Sequence, residues 1–429
     1  MSPASRRSTG RPRRAVVLAS IAIAATTLTA CAAPKTGGAD SGPVTLNVMI
    51  NAGHDYKAYQ SVIAAFEKKH HVTVNVQKYQ WGDLQTKLVA GFRSGDVPDL
   101  VEEAGPGTAV QYGVQGNVLP LDTYIKRDGA AMKYPDDFQS TAVDARTYKG
   151  KTYSIPLHLS AAGILYYNKG LLKEAGYDKP PATWDQLKQV AKDTTKNGVY
   201  GLAVTNDPIF DTFLLQGGAR LTDVASDKVL TPSSDATKSL TFLQDLVFTD
   251  KVAQPPVASS DYAGPQKLFS SGRAAMFMSG PWDLLPVREG SGDIDWGVAP
   301  PLKGKVQASA LTGSGLMIPK KAKHPGLAWD LIKDLTTLKV ELAATKESGI
   351  TMPRKSWAAS PQIADDPTMS VVAKTLSVAV APDSALAAAG KNDQINDLWR
   401  AAYQKIVIQD APVKQTMDQF RTSALGIIK

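Results

Sequence analysis

Apolar positions change spacing along the chain in a way that names its secondary structure. Val44 to Ile50 (VTLNVMI) reads as a buried strand, and Tyr59, Val62, Ile63 and Phe66 then recur at i, i+3, i+4 and i+7, the stripe of an amphipathic helix. Val72 to Lys78 alternates with period two, Leu84, Leu88, Val89 and Phe92 mark a second helix, and Asp99 to Glu102 form a third strand after Pro98. Strands alternating with helices of this length predict parallel β-α-β units. Such sheets bind ligands outside the carboxyl ends of their strands.

Further along, Lys149-Gly150-Lys151 separates two β-rich runs and predicts a hairpin turn. Thr183 is a fair N-cap for a helix that starts at Trp184 and ends near Asn197-Gly198, and Val199 to Val204 returns to strand. Helices are predicted at 236–247, 265–271, 326–338, 392–407 and 413–428, with a strand at 274–278. No period of 20 to 50 residues recurs, which argues against a solenoid or propeller. A chain of 429 residues exceeds the roughly 250–300 at which a single core stops growing, so two α/β lobes follow.

The N-terminus reads differently. Arg6, Arg7, Arg11, Arg13 and Arg14 precede an apolar run from Ala15 to Leu28, 14 residues long, too short for the ~20 that cross a bilayer, and this is the pattern of a secretion signal. Ser5-Arg6-Arg7-Ser8 leaves the export route open. Leu28-Thr29-Ala30-Cys31 then leads to the only cysteine, and residues 32–43 (AAPKTGGADSGP) form a Gly/Pro/Ser tether. The formal net charge of +8 shrinks to an excess of three once the five arginines are set aside. Spread over the remaining chain, that is an ordinary solvated surface, and it implies no nucleic-acid partner.

Chemical motifs are sparse. Ala145 to Thr152 (ARTYKGKT) nearly matches the phosphate-cradling loop, but its first glycine is missing and it lies between strands, which favours the hairpin. Gly105-Pro106-Gly107 is no dinucleotide fingerprint, and Thr312-Gly313-Ser314-Gly315-Leu316 lacks the outer glycines of a nucleophile elbow. The five histidines, His54, His70, His71, His158 and His324, form no HExxH, and no Cys/His zinc set can be assembled. His70 and His71 end a helix, whereas His54 and His158 each follow a predicted strand. The pairs Asp136-Asp137 and Asp365-Asp366 read as solvated surface; a glycosidase would need two acids facing each other across a cleft.

An ordered set of segments carries a resemblance: Pro98-Asp99-Leu100-Val101, Asn117-Val118-Leu119-Pro120-Leu121-Asp122, Tyr153-Ser154-Ile155-Pro156, Ile164-Leu165-Tyr166-Tyr167-Asn168-Lys169, Pro181-Ala182-Thr183-Trp184-Asp185, Ala274-Ala275-Met276, Ser279-Gly280-Pro281-Trp282 and Gly349-Ile350-Thr351-Met352-Pro353-Arg354. With the lipobox-like segment before Cys31, the chain resembles the family 1 extracellular solute-binding proteins of ABC importers, the maltose-binding-protein-like group. The resemblance implies an α/β, two-lobed periplasmic-binding-protein-like fold (type II), two mixed-sheet domains joined by a three-segment hinge. It divides the chain into a signal peptide (1–30), a tether (31–43), an N-lobe (44–160 plus 310–338) and a C-lobe (163–308 plus 339–429). The crossings are expected near Ser160 to Gly163, Ala308 to Thr312 and Thr336 to Ala344.

The function implied is that of a monomeric receptor, lipid-anchored through Cys31 on the outer face of the cell membrane, that captures a carbohydrate and delivers it to an ABC permease. No reaction and no cofactor are implied. Ligand contacts carried over by position are Asn51, His54, Gln80, Trp81, Glu103, His158, Asp207, Phe210, Trp282, Gly313, Ser314, Arg354 and Trp399, with Trp282 as the main stacking ring. A sugar offers an apolar C–H face and a polar rim, so rings provide area and fixed polar groups provide selectivity. Alternatives are the same transport role for a non-sugar ligand such as a polyol phosphate, with Arg354 and His54 or His158 as an anion site, or a secreted glycoside hydrolase.

Overall fold

The computed structural model describes residues 44–207, 212–223, 228–229, 234–257, 263–382 and 384–428; Cys31, the signal segment, the tether and Phe210 lie outside them. The β-α-β reading holds at the start of the chain. Thr45–Asn51 pairs in parallel with Thr73–Tyr79 on one side and Leu100–Glu102 on the other, and the helices Lys57–His70 and Trp81–Ser94 make the connections. Leu46, Val48 and Phe66 are buried together as their periodicities require. His71, at φ 53°, ends the first helix in the left-handed conformation.

The sheet is completed by chain from far downstream. Ser309–Met317 runs antiparallel to Leu100–Glu102 and to Ile155–Ala162, and parallel to Ala379–Val380. A second sheet has Ile164–Asn168 between Met276–Ser279 and Trp296–Ala299, both antiparallel to it. The strand expected at 199–204 is reduced to two isolated parallel bridges, Tyr200 to Ala274 and Ala203 to Phe277. The hairpin at Lys149-Gly150 is present, with both residues at positive φ between the paired segments Thr147–Tyr148 and Lys151–Thr152. Thr183 caps Trp184–Thr194 by accepting from the Gln186 N–H.

The chain passes from the first sheet to the second at Gly163. Its φ is +105°, and a Cβ there would stand 2.5 Å from Thr212 Cγ2; only glycine meets both demands. Phe66, Trp329 and Trp357 anchor the first core, which continues through Ile164, Tyr166 and Phe277 at the junction. Leu187, Leu240, Leu243, Ile395 and Phe420 build the second. Each fully buried side chain of this kind contributes roughly 1.5–3 kcal/mol.

One expected boundary moves. Residues 326–338 were expected as one helix, followed by a crossing over 336–344. Instead, Thr337 caps a separate helix, Leu338–Ser348, which packs on Lys57–His70. Trp357 Nε1 donates to Thr345 Oγ1 at 2.9 Å, so residues 339–357 belong with the first lobe. The third passage follows them: Pro367–Thr375 packs on Trp296–Ala299, Ala379–Val380 joins the return strand, and Ile395 enters the second core.

Candidate functional site

The first-lobe side of the site grows from three strand ends. Asn51 closes the first strand, and its Oδ1 accepts from the Gly53 N–H at 2.8 Å, turning the chain into the short 3-10 helix Ala52–His54. Glu102 closes the third strand with no exposed surface. Its Oε2 accepts from the Asn51 N–H at 2.9 Å, while Oε1 lies 2.6 Å from His54 Nδ1 and accepts from Ser314 Oγ at 2.5 Å. Ser314 Oγ is 2.9 Å from His158 Nδ1, and His158 Nε2 is 2.8 Å from the Tyr59 hydroxyl. Trp81, half-buried, sets its ring edge-on to His54 at 5.6 Å.

Local backbone geometry makes this convergence possible. Ser314 sits between two glycines at a β-bulge, where pairing with the strand Ile155–Ala162 slips one residue. Gly313 has φ +123°, and a Cβ on it would lie 2.3 Å from the His158 carbonyl oxygen. A Cβ on Gly315 would meet Glu103 Oε1 at 2.5 Å. The Gly-Ser-Gly run is therefore a bulge that aims one hydroxyl, with no role as a nucleophile elbow.

Electrostatics fix the protonation of the cluster. Burial alone would raise the Glu102 carboxyl, but its electrostatic attraction to the His54 ring and hydrogen bonds from His158 and His54 overcome it and hold it well below the usual carboxylate range. Burial, then the neighbouring His54, lower His158 to about 4 against the pull of Glu102, so it is neutral at pH 7. An ionised Glu102 only accepts. The Ser314 proton therefore goes to Glu102, the His158 Nδ1–H donates to Ser314, and Tyr59 donates to His158 Nε2.

The second-lobe side is a pocket beside the crossing. Ala162, Gly163, Thr205, Asp207, Gln266, Phe277, Ser279, Trp282, Asp283 and Tyr403 line it. Trp282 is half-buried in the 3-10 turn Pro281–Asp283. Gly280 admits its ring, since a Cβ there would lie 2.2 Å from Trp282 Cη2. Asp283 accepts from Ser279 Oγ at 2.5 Å, and burial raises its carboxyl to about 6 despite that bond. Tyr403 donates to the Thr205 carbonyl at 3.1 Å, and Asp207 lies 3.6 Å from Arg400 Nε.

Of the expected contacts, the structure brings Asn51, His54, Trp81, His158, Gly313 and Ser314 together at the first-lobe strand ends, and Asp207 and Trp282 at the pocket. His158 lies within the fully buried strand Ile155–Ala162, where a loop position was expected. Gln80 is exposed at the start of its helix. Three residues sit elsewhere, and each is a correction to the expected set. Glu103 is fully buried, 2.5 Å from Arg146 Nε, and accepts from Ser154 Oγ and the Ala109 N–H. Arg354 donates from Nε and Nη2 to the Thr336 carbonyl and from Nη1 to Asp137 at 2.9 Å, so it ties together segments within the first lobe. The anion site that paired it with a histidine is not formed. Trp399 is 2% exposed and packs edge-on to Phe420 at 5.5 Å.

Glu102, Tyr59, Gln266, Ser279, Asp283 and Tyr403 are the site residues that sequence reasoning missed. Tyr59 falls in the helical apolar stripe that the sequence shows, although its hydroxyl demands a partner when buried. His54, Glu102 and His158 are also the one group among the described residues whose potential metal-ligand atoms all lie within 4.8 Å of one another. The hydrogen-bond scheme above uses every polar atom of Glu102 and His158 without an ion.

The sequence pattern of bacterial extracellular solute-binding proteins matches residues 52–341, and the chain belongs to that family. It is 24% identical to the galactooligosaccharide-binding protein of Bacillus subtilis over 86% of each chain. It is 28% identical to the maltodextrin-binding protein of the same organism over 70% of this chain and 71% of that one. Among solved structures, it aligns with an ABC transporter solute-binding protein of Thermotoga lettingae bound with alpha-D-tagatose at a TM-score of 0.79 and 25% identity, covering 90% of this chain and all of that one. The fold is thus the two-lobed one of these binding proteins. No helix among the described residues is long and apolar enough to cross a membrane.

Proposed function

We propose that this protein is the extracytoplasmic receptor of an ABC importer, which captures a carbohydrate between its lobes and presents it to the permease. The observation that carries this reading is the pocket at the crossing. An indole, half-buried at Trp282, stands beside the polar groups of Asp207, Gln266, Ser279 and Asp283, which matches the apolar face and polar rim of a sugar ring. Relatives that bind galactooligosaccharides and maltodextrins support it.

The first-lobe cluster and the pocket share one strand. His158 and Ala162 lie on the same face of Ile155–Ala162, four residues or about 13 Å apart by strand rise, further than a single pyranose ring reaches. A ligand that touches both ends is an oligosaccharide. Ligand that bridges the lobes shifts the population towards a closed form by a hinge motion at Gly163 and the return strand. The lipid on Cys31, with two or three acyl chains at ~0.8 kcal/mol per buried CH₂, holds the monomeric receptor at the membrane.

A thermal-shift panel tests the reading, because ligand stabilises the fold by RT ln(1 + [L]/Kd). Galactooligosaccharides or maltodextrins are expected to raise the melting temperature in a saturable way. A response confined to polyol phosphates, or release of aryl aglycones from chromogenic glycosides, would contradict it.

A further inference from the structure

Glu102 is the most constrained carboxylate at the first-lobe strand ends. It is fully buried and receives the Asn51 N–H on Oε2, and Ser314 Oγ and His54 Nδ1 on Oε1. Behind Ser314 stand His158 and Tyr59, each using its polar atoms on the next. Because an ionised carboxylate has no proton to give, the nitrogen of His54 that faces it must carry one. In the neutral ring the other nitrogen, Nε2, is then bare. His54 is the member of the cluster that reaches solvent, with its side chain 17% exposed, and Nε2 makes no hydrogen bond among the described residues.

We propose that Glu102 is a positioning residue for ligand capture: it holds His54 in the Nδ1–H form, so that Nε2 meets the ligand as a hydrogen-bond acceptor selecting an O–H or N–H donor at that point. This rests on the reading of the interlobe space as the ligand site. The chain from Tyr59 through His158 and Ser314 makes the choice of tautomer rigid, since no member can reverse its proton without leaving a buried group unpaired. The arrangement is the one by which a carboxylate orients a histidine whose second nitrogen does the work. A ligand position bearing only an acceptor, such as a ring ether or an O-methyl group, would face a lone pair and be rejected. This sets a requirement on one hydroxyl, whereas Trp282 requires only a face.

The test has two parts on the full mature chain. Long-range ¹H–¹⁵N spectra of the free protein at neutral pH are expected to show His54 and His158 both protonated at Nδ1, and Glu102→Gln to convert His54 to a tautomer mixture. A wild-type His54 carrying its proton at Nε2, or one unaffected by E102Q, would overturn the proposal. So would tight Zn²⁺ binding that displaces the Nδ1 protons, because the cluster would then be a metal site. In titrations with maltotriose and with galactooligosaccharides, E102Q and His54→Phe are each expected to weaken binding about tenfold or more, with unchanged affinity overturning the proposal. Should E102Q fail to fold, the wild-type spectrum and H54F decide the same points. Failure of every sugar to bind the wild type would fall on the functional reading, whereas the tautomer is read without ligand.

Discussion

Glu102 and Glu103 are neighbours in sequence whose side chains face opposite ways: the first carboxylate meets His54 and Ser314 at the strand ends, and the second meets Arg146 in the interior. Both are fully buried, yet one belongs to the candidate site and the other to the fold. Substitutions at the two positions should therefore separate.

Glu103→Gln leaves the fully buried Arg146 guanidinium without its charge partner. The expected loss of stability is about 3–5 kcal/mol, the range for breaking a buried pair from one side. Urea denaturation measures it, and ligand affinity at temperatures where the variant is folded should stay within about twofold of wild type. A large affinity loss at full stability would mean that Glu103 touches ligand after all.

Gly313→Ala asks alanine to adopt φ +123° with its methyl group 2.3 Å from a backbone oxygen. Strain of this kind costs on the order of 1–3 kcal/mol before the contact is relieved. Relief would open the bulge that aims Ser314. The expected outcome is a lowered melting temperature with changed His158 resonances in the imidazole spectrum; an unperturbed His158 would show that the bulge does not set its position.

Stability should depend on pH with two opposing contributions. His158 is lowered to about 4 in the fold, so its contribution is complete above its unfolded value near 6.5 and is lost as pH falls through 4, on the order of 3 kcal/mol. Glu102, also lowered, adds to the loss below its unfolded value of 4.5. Asp283 is raised to about 6; its contribution is present below its unfolded value of 3.8 and is lost as pH rises through 6. Between pH 6 and 4 it therefore offsets His158. Asp283→Asn removes the offset, and denaturation curves for it should lose stability more steeply over that interval than wild type. Parallel curves would contradict the assignment.

Much of the fold was legible because periodicity reports burial directly: the stripe Tyr59, Val62, Ile63 and Phe66 can only be one face of a helix. The strand expected at 199–204 is marginal because Tyr200 and Ala203 pair only through single bridges at a sheet edge. The third passage was misplaced because a helix on the surface of one lobe and a helix crossing to the other carry the same apolar pattern. At the site, Asn51 and His54 were accessible from the loop after the first strand and Trp282 from the family resemblance, but the choice between Glu102 and Glu103 turned on a single residue of register, and a slip of one reverses the face. Arg354 and Trp399 misled because a buried clamp and a core ring use the same residue types as a binding site. Asp283 and Gln266 gave no sequence signal, since the pocket draws them from separate elements.

The proposed function puts a carbohydrate against Trp282 between the lobes. Calorimetric titration of wild type and Trp282→Ala with galactooligosaccharides and maltodextrins tests it most directly. Saturable binding of at least one of these sugars to wild type is expected, with a loss of tenfold or more, at least about 1.4 kcal/mol, on removing the ring. Equal affinity in the two proteins, or no heat from any carbohydrate while another solute binds, would contradict it.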